Sequence, residues 1–172
     1  HPFHPHVEGH PEVLLLEAGQ DRPAVANVDS WHSDLTGLAA PPLGSILYAV
    51  EVPAVGGDTI FASGYAAYDA LSAPLQRLLG ELFAVHDMLR VFGPGLLAQP
   101  DGAARYARAR DAFPPVRHPI VRTHPATGRK ALFVNPIFTD HIDGLSRRES
   151  GALLAFLYEH TRLPEFQCRF RW

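Results

Sequence analysis

The sequence predicts a mainly β fold, a β-sandwich of jelly-roll type (double-stranded β-helix) with helices packed outside. Three observations predict it. Short β-rich runs interleave with amphipathic helical stretches that would cover a sheet. No repeat with a period of about 20 to 50 residues is present, which argues against a solenoid. No Gly-rich phosphate loop leads into a helix, which argues against a Rossmann fold.

At 172 residues, 47% hydrophobic and 19% charged, the chain fits one globular domain, 1–172, able to bury roughly 70% of its unfolded surface. A net charge of -3 and a pI near 6.4 provide no basic stripe, and point away from nucleic acid as a partner. The single Cys168 cannot form an internal disulfide, and no run approaches the roughly 20 apolar residues of a membrane helix. No charged n-region followed by an apolar stretch opens the chain. These features predict a soluble, cytoplasmic protein with no membrane partner, and leave homo-oligomerisation open. The chain begins at His1 without Met and ends at Trp172 inside a patterned segment, so both ends look cut and the sandwich is expected to be incomplete at its C-terminus.

Residues 1–30 carry His1, His4, His6 and His10 among Pro and Gly, a pattern read as an irregular loop, followed by an apolar run Val13–Leu16 that suits a buried strand. Ser45–Val52 is β-rich, and Pro53 to Gly57 is the turn before a second strand, Asp58–Ala62. A helical stretch covers Tyr65–Leu71. Ser72 then caps a helix with Pro74 in its first turn and Leu75, Leu78, Leu79, Leu82 and Phe83 along one face. Residues 93–114, punctuated by Gly93, Pro94, Gly95, Pro100 and Gly102, read as a long lid-like connection with a short helix at Ala103–Ala112. Pro119–Thr123 and Lys130–Asn135, joined by a turn at Pro125 to Gly128, form a β-hairpin. Ser146 with Glu149 is a capping box, opening a helix whose buried stripe is Leu153, Leu154, Phe156 and Leu157. The alternation of Phe166, Cys168, Phe170 and Trp172 against Gln167, Arg169 and Arg171 is that of a half-buried strand.

The chemistry-bearing segment is Trp31-His32-Ser33-Asp34. On an extended segment a His and an Asp two apart face the same way, and imidazole plus carboxylate is two thirds of the two-His, one-carboxylate set that holds Fe(II) in non-haem oxygenases. Structural zinc more often recruits thiolates, and only one Cys exists. Among the other histidines, His118 and His124 read as hairpin-end residues with structural hydrogen bonds, and His86, His141 and His160 as residues beside acids or at helix ends.

Several segments in order resemble the taurine dioxygenase (TauD/TfdA-like) family of Fe(II)- and 2-oxoglutarate-dependent dioxygenases. They are His1-Pro2 with His6 to Gly9, Trp31 to Thr36, Gly56-Gly57-Asp58-Thr59, Ala66 to Ser72, His118 to Pro125, Leu132-Phe133-Val134-Asn135 and Pro164 to Trp172. The resemblance implies that His32 and Asp34 are iron ligands, and that Thr59 donates its hydroxyl to the distal carboxylate of the cosubstrate 2-oxoglutarate. It further implies that His1 contacts a sulfonate, that Phe92 and Phe138 wall the substrate pocket, and that O2 and a small organic acid are the partners. The family's third ligand His and its 2-oxoglutarate-clamping Arg fall on strands after Trp172. Val28 stands in place of an Asn near the taurine amine, Val91 in place of a Ser and His4 in place of a Tyr, departures that argue against taurine itself. Two other readings stay open: a catalytically incompetent jelly-roll fragment or binding module, and a cupin-like metal hydrolase.

Overall fold

The computed structural model describes residues 6–16 and 30–172. The chain divides into two compact units, His1–Ser30 and Trp31–Trp172. In the first, Val7 and His10 form an isolated antiparallel bridge, and Val7 N donates to Val13 O at 2.9 Å. Val13–Leu16 is not a strand, and Val13, Leu15 and Leu16 are exposed. An apolar run becomes a strand only where a neighbouring ladder takes up its backbone groups, and no described strand does so here.

The second unit holds three small antiparallel sheets and five α-helices among the described residues. β1 (Thr59–Ala62) pairs with β7 (Gln167–Phe170), Thr59 opposite Phe170. β2 (Phe83–His86) lies between β3 (Val116–Pro119) and β6 (Thr139–Ile142), with a register shift at Val85/His86 against β6. β4 (Val121–Thr123) and β5 (Lys130–Leu132) form the expected hairpin, Gly128 at φ +68° making the turn. No closed barrel joins these sheets among the described residues, and the architecture is mixed helix and sheet.

The core lies where α1 (Gly64–Asp69), α2 (Ala73–Gly80) and α5 (Arg147–Thr161) meet the sheets. Ala67, Leu71, Leu79, Leu154 and Leu157 pack with Ala84, Ile120, Leu132 and Ile142 in one buried cluster. The capping box forms as read: Glu149 N donates to Ser146 Oγ at 3.3 Å, and Ser146 N to the Glu149 carboxylate at 2.9 Å. The buried stripe of α5 is narrower than expected, with Phe156 exposed. Phe83 leaves the helical face assigned to it and opens β2, because α2 stops at Gly80 and Leu82 O is taken by Ile120 N at 3.1 Å.

The Gly/Pro-punctuated connection is helical over most of its length, forming α3 (Leu89–Leu97) and α4 (Gly102–Ala112). Gly93 marks a close helix approach rather than a loop: a Cβ there would stand 2.8 Å from Tyr106 Cε2. Asp87 Oδ1 accepts from Leu89 N at 2.8 Å at the start of α3, and both Asp87 carboxylate oxygens accept from Arg110 of α4. Ser45–Val52 forms no strand, with Ile46 101% exposed, so only the second of the two expected strands, β1, exists. The last strand forms, yet Cys168 and Phe170 on its expected inner face are exposed, because β1 is its one described neighbour. No described helix is long and apolar enough to cross a membrane.

Leu157 is fully buried at the centre of this core, so Leu157→Ala is expected to cost about 2–5 kcal/mol. Urea unfolding measures it; an unchanged midpoint would contradict the assigned core.

Candidate metal centre

His32 and Asp34 converge. His32 lies in irregular chain and Asp34 opens a turn over residues 34–37, rather than both sitting on one extended segment. Leu35 takes a left-handed φ of +53°, and Leu38 N closes the turn on Leu35 O at 3.0 Å. His32 Nε2 stands 3.4 Å from Asp34 Oδ1, with the side chains 35% and 54% exposed. Ser45 Oγ donates to the other oxygen, Asp34 Oδ2, at 2.8 Å. The hydrogen bond from His32 holds the Asp34 carboxyl below its ordinary range; burial opposes this, and Ser45 adds to it.

The donor pair fits a divalent metal. An imidazole nitrogen and a carboxylate oxygen 3.4 Å apart are donor types that would together hold such an ion. The pair is partly open to solvent, which leaves room for further ligands. Among the described residues no group of three His, Cys, Asp or Glu comes together.

Beneath the turn lies a dry polar cluster that the sequence reading did not single out. Thr36, His86 and Asn135 are all buried, His86 completely. Asn135 Oδ1 accepts from Ile137 N at 3.1 Å and Phe138 N at 2.8 Å, which identifies that atom as the oxygen. The amide nitrogen Nδ2 therefore faces Thr36 and donates to its Oγ1 at 3.1 Å. Thr36 Oγ1 lies 3.0 Å from His86 Nδ1, the acceptor that would take its hydroxyl proton. Gly37 packs on Met88, where a Cβ would stand 2.8 Å from the backbone nitrogen. Leu38 O bonds His118 Nε2 at 2.9 Å.

His86 is thus a core residue, not the solvated group beside Asp87 that its sequence neighbours suggest. Its Nε2 is buried without a hydrogen-bond partner among the described residues. Burial, then the charge of neighbouring His118, pushes its pKa down to about 4 against a weak opposing influence of the Phe133 backbone. The signal available in the sequence was the apolar run Phe83-Ala84-Val85 leading into it.

The remaining candidates are distributed. Thr59 Oγ1 accepts from Trp172 Nε1 at 3.0 Å across the β1–β7 pair, and Asp58 beside it pairs with Arg169 at 3.3 Å. Phe92 on α3 and Phe138 come together, ring centroids 6.4 Å apart, and Val91 beside Phe92 is half-buried. His1, His4 and Val28 lie outside the described residues. His118 and His124 make the structural bonds expected of them, His124 Nδ1 accepting from Ala126 N at 3.2 Å. His141 Nδ1 pairs with Asp140 at 2.8 Å, and His160 Nε2 bonds Ala67 O at 2.8 Å.

Over residues 1–172 the chain matches the family described as taurine catabolism dioxygenase TauD, TfdA family. It is 37% identical over its whole length to an alpha-ketoglutarate-dependent sulfate ester dioxygenase of Pseudomonas putida, covering 56% of that protein. It is 44% identical, over 83% of its length and 47% of the relative's, to an alpha-ketoglutarate-dependent 2,4-dichlorophenoxyacetate dioxygenase of Cupriavidus pinatubonensis. A crystal structure of a taurine dioxygenase from Burkholderia xenovorans superimposes with a TM-score of 0.75 at 38% identity, covering 97% of this chain and 53% of that one. The chain spans about half the length of these relatives.

The neutral state of His86 has a consequence for stability. Its folded pKa of about 4 lies below the 6.5 of an unfolded His, so acidification protonates the unfolded chain first. The contribution is full above about pH 6.5 and lost as pH falls toward 4, by about 3 kcal/mol. Urea unfolding across this range should show that decline in the wild type and a flatter profile in His86→Gln; parallel profiles would contradict it.

Proposed function

Because the chain belongs to the taurine catabolism dioxygenase TauD, TfdA family, we propose that it serves an Fe(II)- and 2-oxoglutarate-dependent dioxygenase that hydroxylates a small organic acid, an alkyl sulfonate or related taurine-like compound. The products are succinate and CO2, with sulfite where the substrate is a sulfonate. The observation that carries this reading is the approach of His32 Nε2 to Asp34 Oδ1, at 3.4 Å, on a turn fixed from below. On this reading the three short sheets belong to one jelly-roll catalytic domain, and the exposed thiol of Cys168 suits a reducing, cytoplasmic setting.

His32 and Asp34 would hold the metal, Asp34 as a carboxylate whose second oxygen is oriented by Ser45. Bound Fe(II) and 2-oxoglutarate supply the oxidation of a substrate carbon by O2. Thr59 would bind the distal carboxylate of 2-oxoglutarate. Trp172 already occupies a lone pair of its hydroxyl, which leaves the proton for an outside acceptor. Phe92 and Phe138 would form an apolar wall that orients the substrate chain and excludes water. The relatives' names share an anionic substrate and differ in the rest of it: a sulfate ester, a phenoxyacetate, taurine. Val28, Val91 and His4 favour an acid without taurine's ammonium.

A second reading, a binding module without turnover, draws on the lack of a third ligand-type side chain beside His32 and Asp34 among the described residues. Anaerobic titration of Fe(II) and 2-oxoglutarate separates the two. The dioxygenase reading expects a metal-to-ligand charge-transfer band in the visible, lost in His32→Ala and Asp34→Ala, and succinate on admitting O2. A band that survives both substitutions would refute the assignment of the pair.

A further inference from the structure

We propose that Asn135 is a positioning residue for the metal pair, acting through Thr36 to hold the Asp34 turn in its ligating geometry. This role rests on the reading of His32 and Asp34 as metal ligands. The amide is oriented by its partners: Oδ1 accepts from Ile137 N and Phe138 N, and Nδ2 donates to Thr36 Oγ1 at 3.1 Å. The segment bearing it is anchored again by Asn135 N to Thr139 Oγ1 at 3.0 Å and by Asp87 N to Phe138 O at 2.8 Å. The donor thus sits on a rigid base, 99 residues from Thr36 in sequence.

Thr36 lies two residues beyond Asp34, on the far side of Leu35, which takes a left-handed φ of +53°. A non-glycine residue in that conformation persists only where its surroundings impose it. The surroundings here are Asn135 and His86 on the Thr36 hydroxyl, Met88 against Gly37 and His118 on Leu38 O. Of these, the Asn135 bond acts nearest to Asp34 from an element outside the three-stranded sheet. Among the described residues the hydrogen bonds of Asn135 run to Thr36, Ile137, Phe138 and Thr139, so its effect on metal binding would pass through the turn.

The test compares wild type, Thr36→Val, Thr36→Ser and Asn135→Ala, in the longest form of the protein that contains this chain. Mn(II) affinity is measured by the loss of free-ion electron paramagnetic resonance signal, well below each variant's unfolding midpoint. Removing a group that orients a metal ligand commonly weakens metal affinity about 10- to 100-fold. Thr36→Val and Asn135→Ala should each bind Mn(II) at least about tenfold more weakly, while Thr36→Ser, which keeps the hydroxyl, stays near wild type. A residue that only stabilises the fold would lower the unfolding midpoint and leave the affinity of the folded protein alone. Folded Thr36→Val and Asn135→Ala with wild-type Mn(II) affinity overturn the role of Asn135. Should Asn135→Ala not fold, the Thr36→Val and Thr36→Ser pair decides by the same criterion. A wild type that binds no Mn(II), by contrast, overturns the metal-pair reading itself and the role with it.

Discussion

The hydrogen bond from Asn135 to Thr36 is the constraint on which the site's geometry depends. It joins two loops far apart in sequence, both lacking regular structure, in a place closed to water. A buried polar group left without a partner costs about 1–3 kcal/mol, so each partner holds the other in place and neither loop can drift alone. The bond also fixes direction. With the amide oxygen taken by Ile137 and Phe138, the amide can only donate to Thr36, and the threonine proton is then free to reach His86. A chain of donors therefore runs from Asn135 inward to a histidine whose burial keeps it neutral.

That neutrality matters above as well as below. A protonated His86 would place a buried positive charge under a turn that presents a carboxylate, and would lose the acceptor at Nδ1 that the threonine needs. The fold avoids both by enclosing the ring against His118 and Phe133, with Nε2 left without a hydrogen-bond partner among the described residues. The exposed pair uses different physics: His32 and Ser45 stabilise the ionised form of Asp34 through hydrogen bonds in contact with solvent. A buried foundation sets position, and a solvent-facing upper surface keeps the Asp34 carboxylate ionised and both side chains accessible.

The sequence exposed what depends on local pattern. The capping box of α5, the β4–β5 hairpin with its Gly turn, and the helix at Gly102–Ala112 follow from neighbours within a few residues, and all are present. The approach of His32 to Asp34 was legible as well, although it forms on a turn with Leu35 left-handed rather than on an extended segment. What failed depended on partners elsewhere. The apolar runs at 13–16 and 45–52 have strand composition, but composition does not supply a ladder. The glycines and proline near 93–95 suggested a loop, whereas Gly93 marks a helix contact with Tyr106 that is invisible without the partner. His86 was misplaced because the acid next to it in sequence, Asp87, turns away to hold Arg110. Asn135 lay inside a quoted motif, yet nothing local assigns its amide to a hydroxyl on a distant turn.

Rigidity under the pair bears directly on how two donors can matter to a metal. A His and an Asp on a mobile loop would have to be ordered at the moment of binding, and that loss of freedom would be subtracted from the affinity of every bond they form. Here the turn is closed by its own hydrogen bond, gripped at Thr36, Gly37 and Leu38, and already brings Nε2 and Oδ1 to 3.4 Å. The ordering is thus supplied by folding, from contacts that never touch the ion. Mutual attraction alone would draw an imidazole and a carboxylate together anywhere on a surface, but it would not hold Leu35 in a left-handed conformation or exclude water from beneath it. Those two features distinguish an ordered pair from a chance surface ion pair, and both trace to the buried side of the turn.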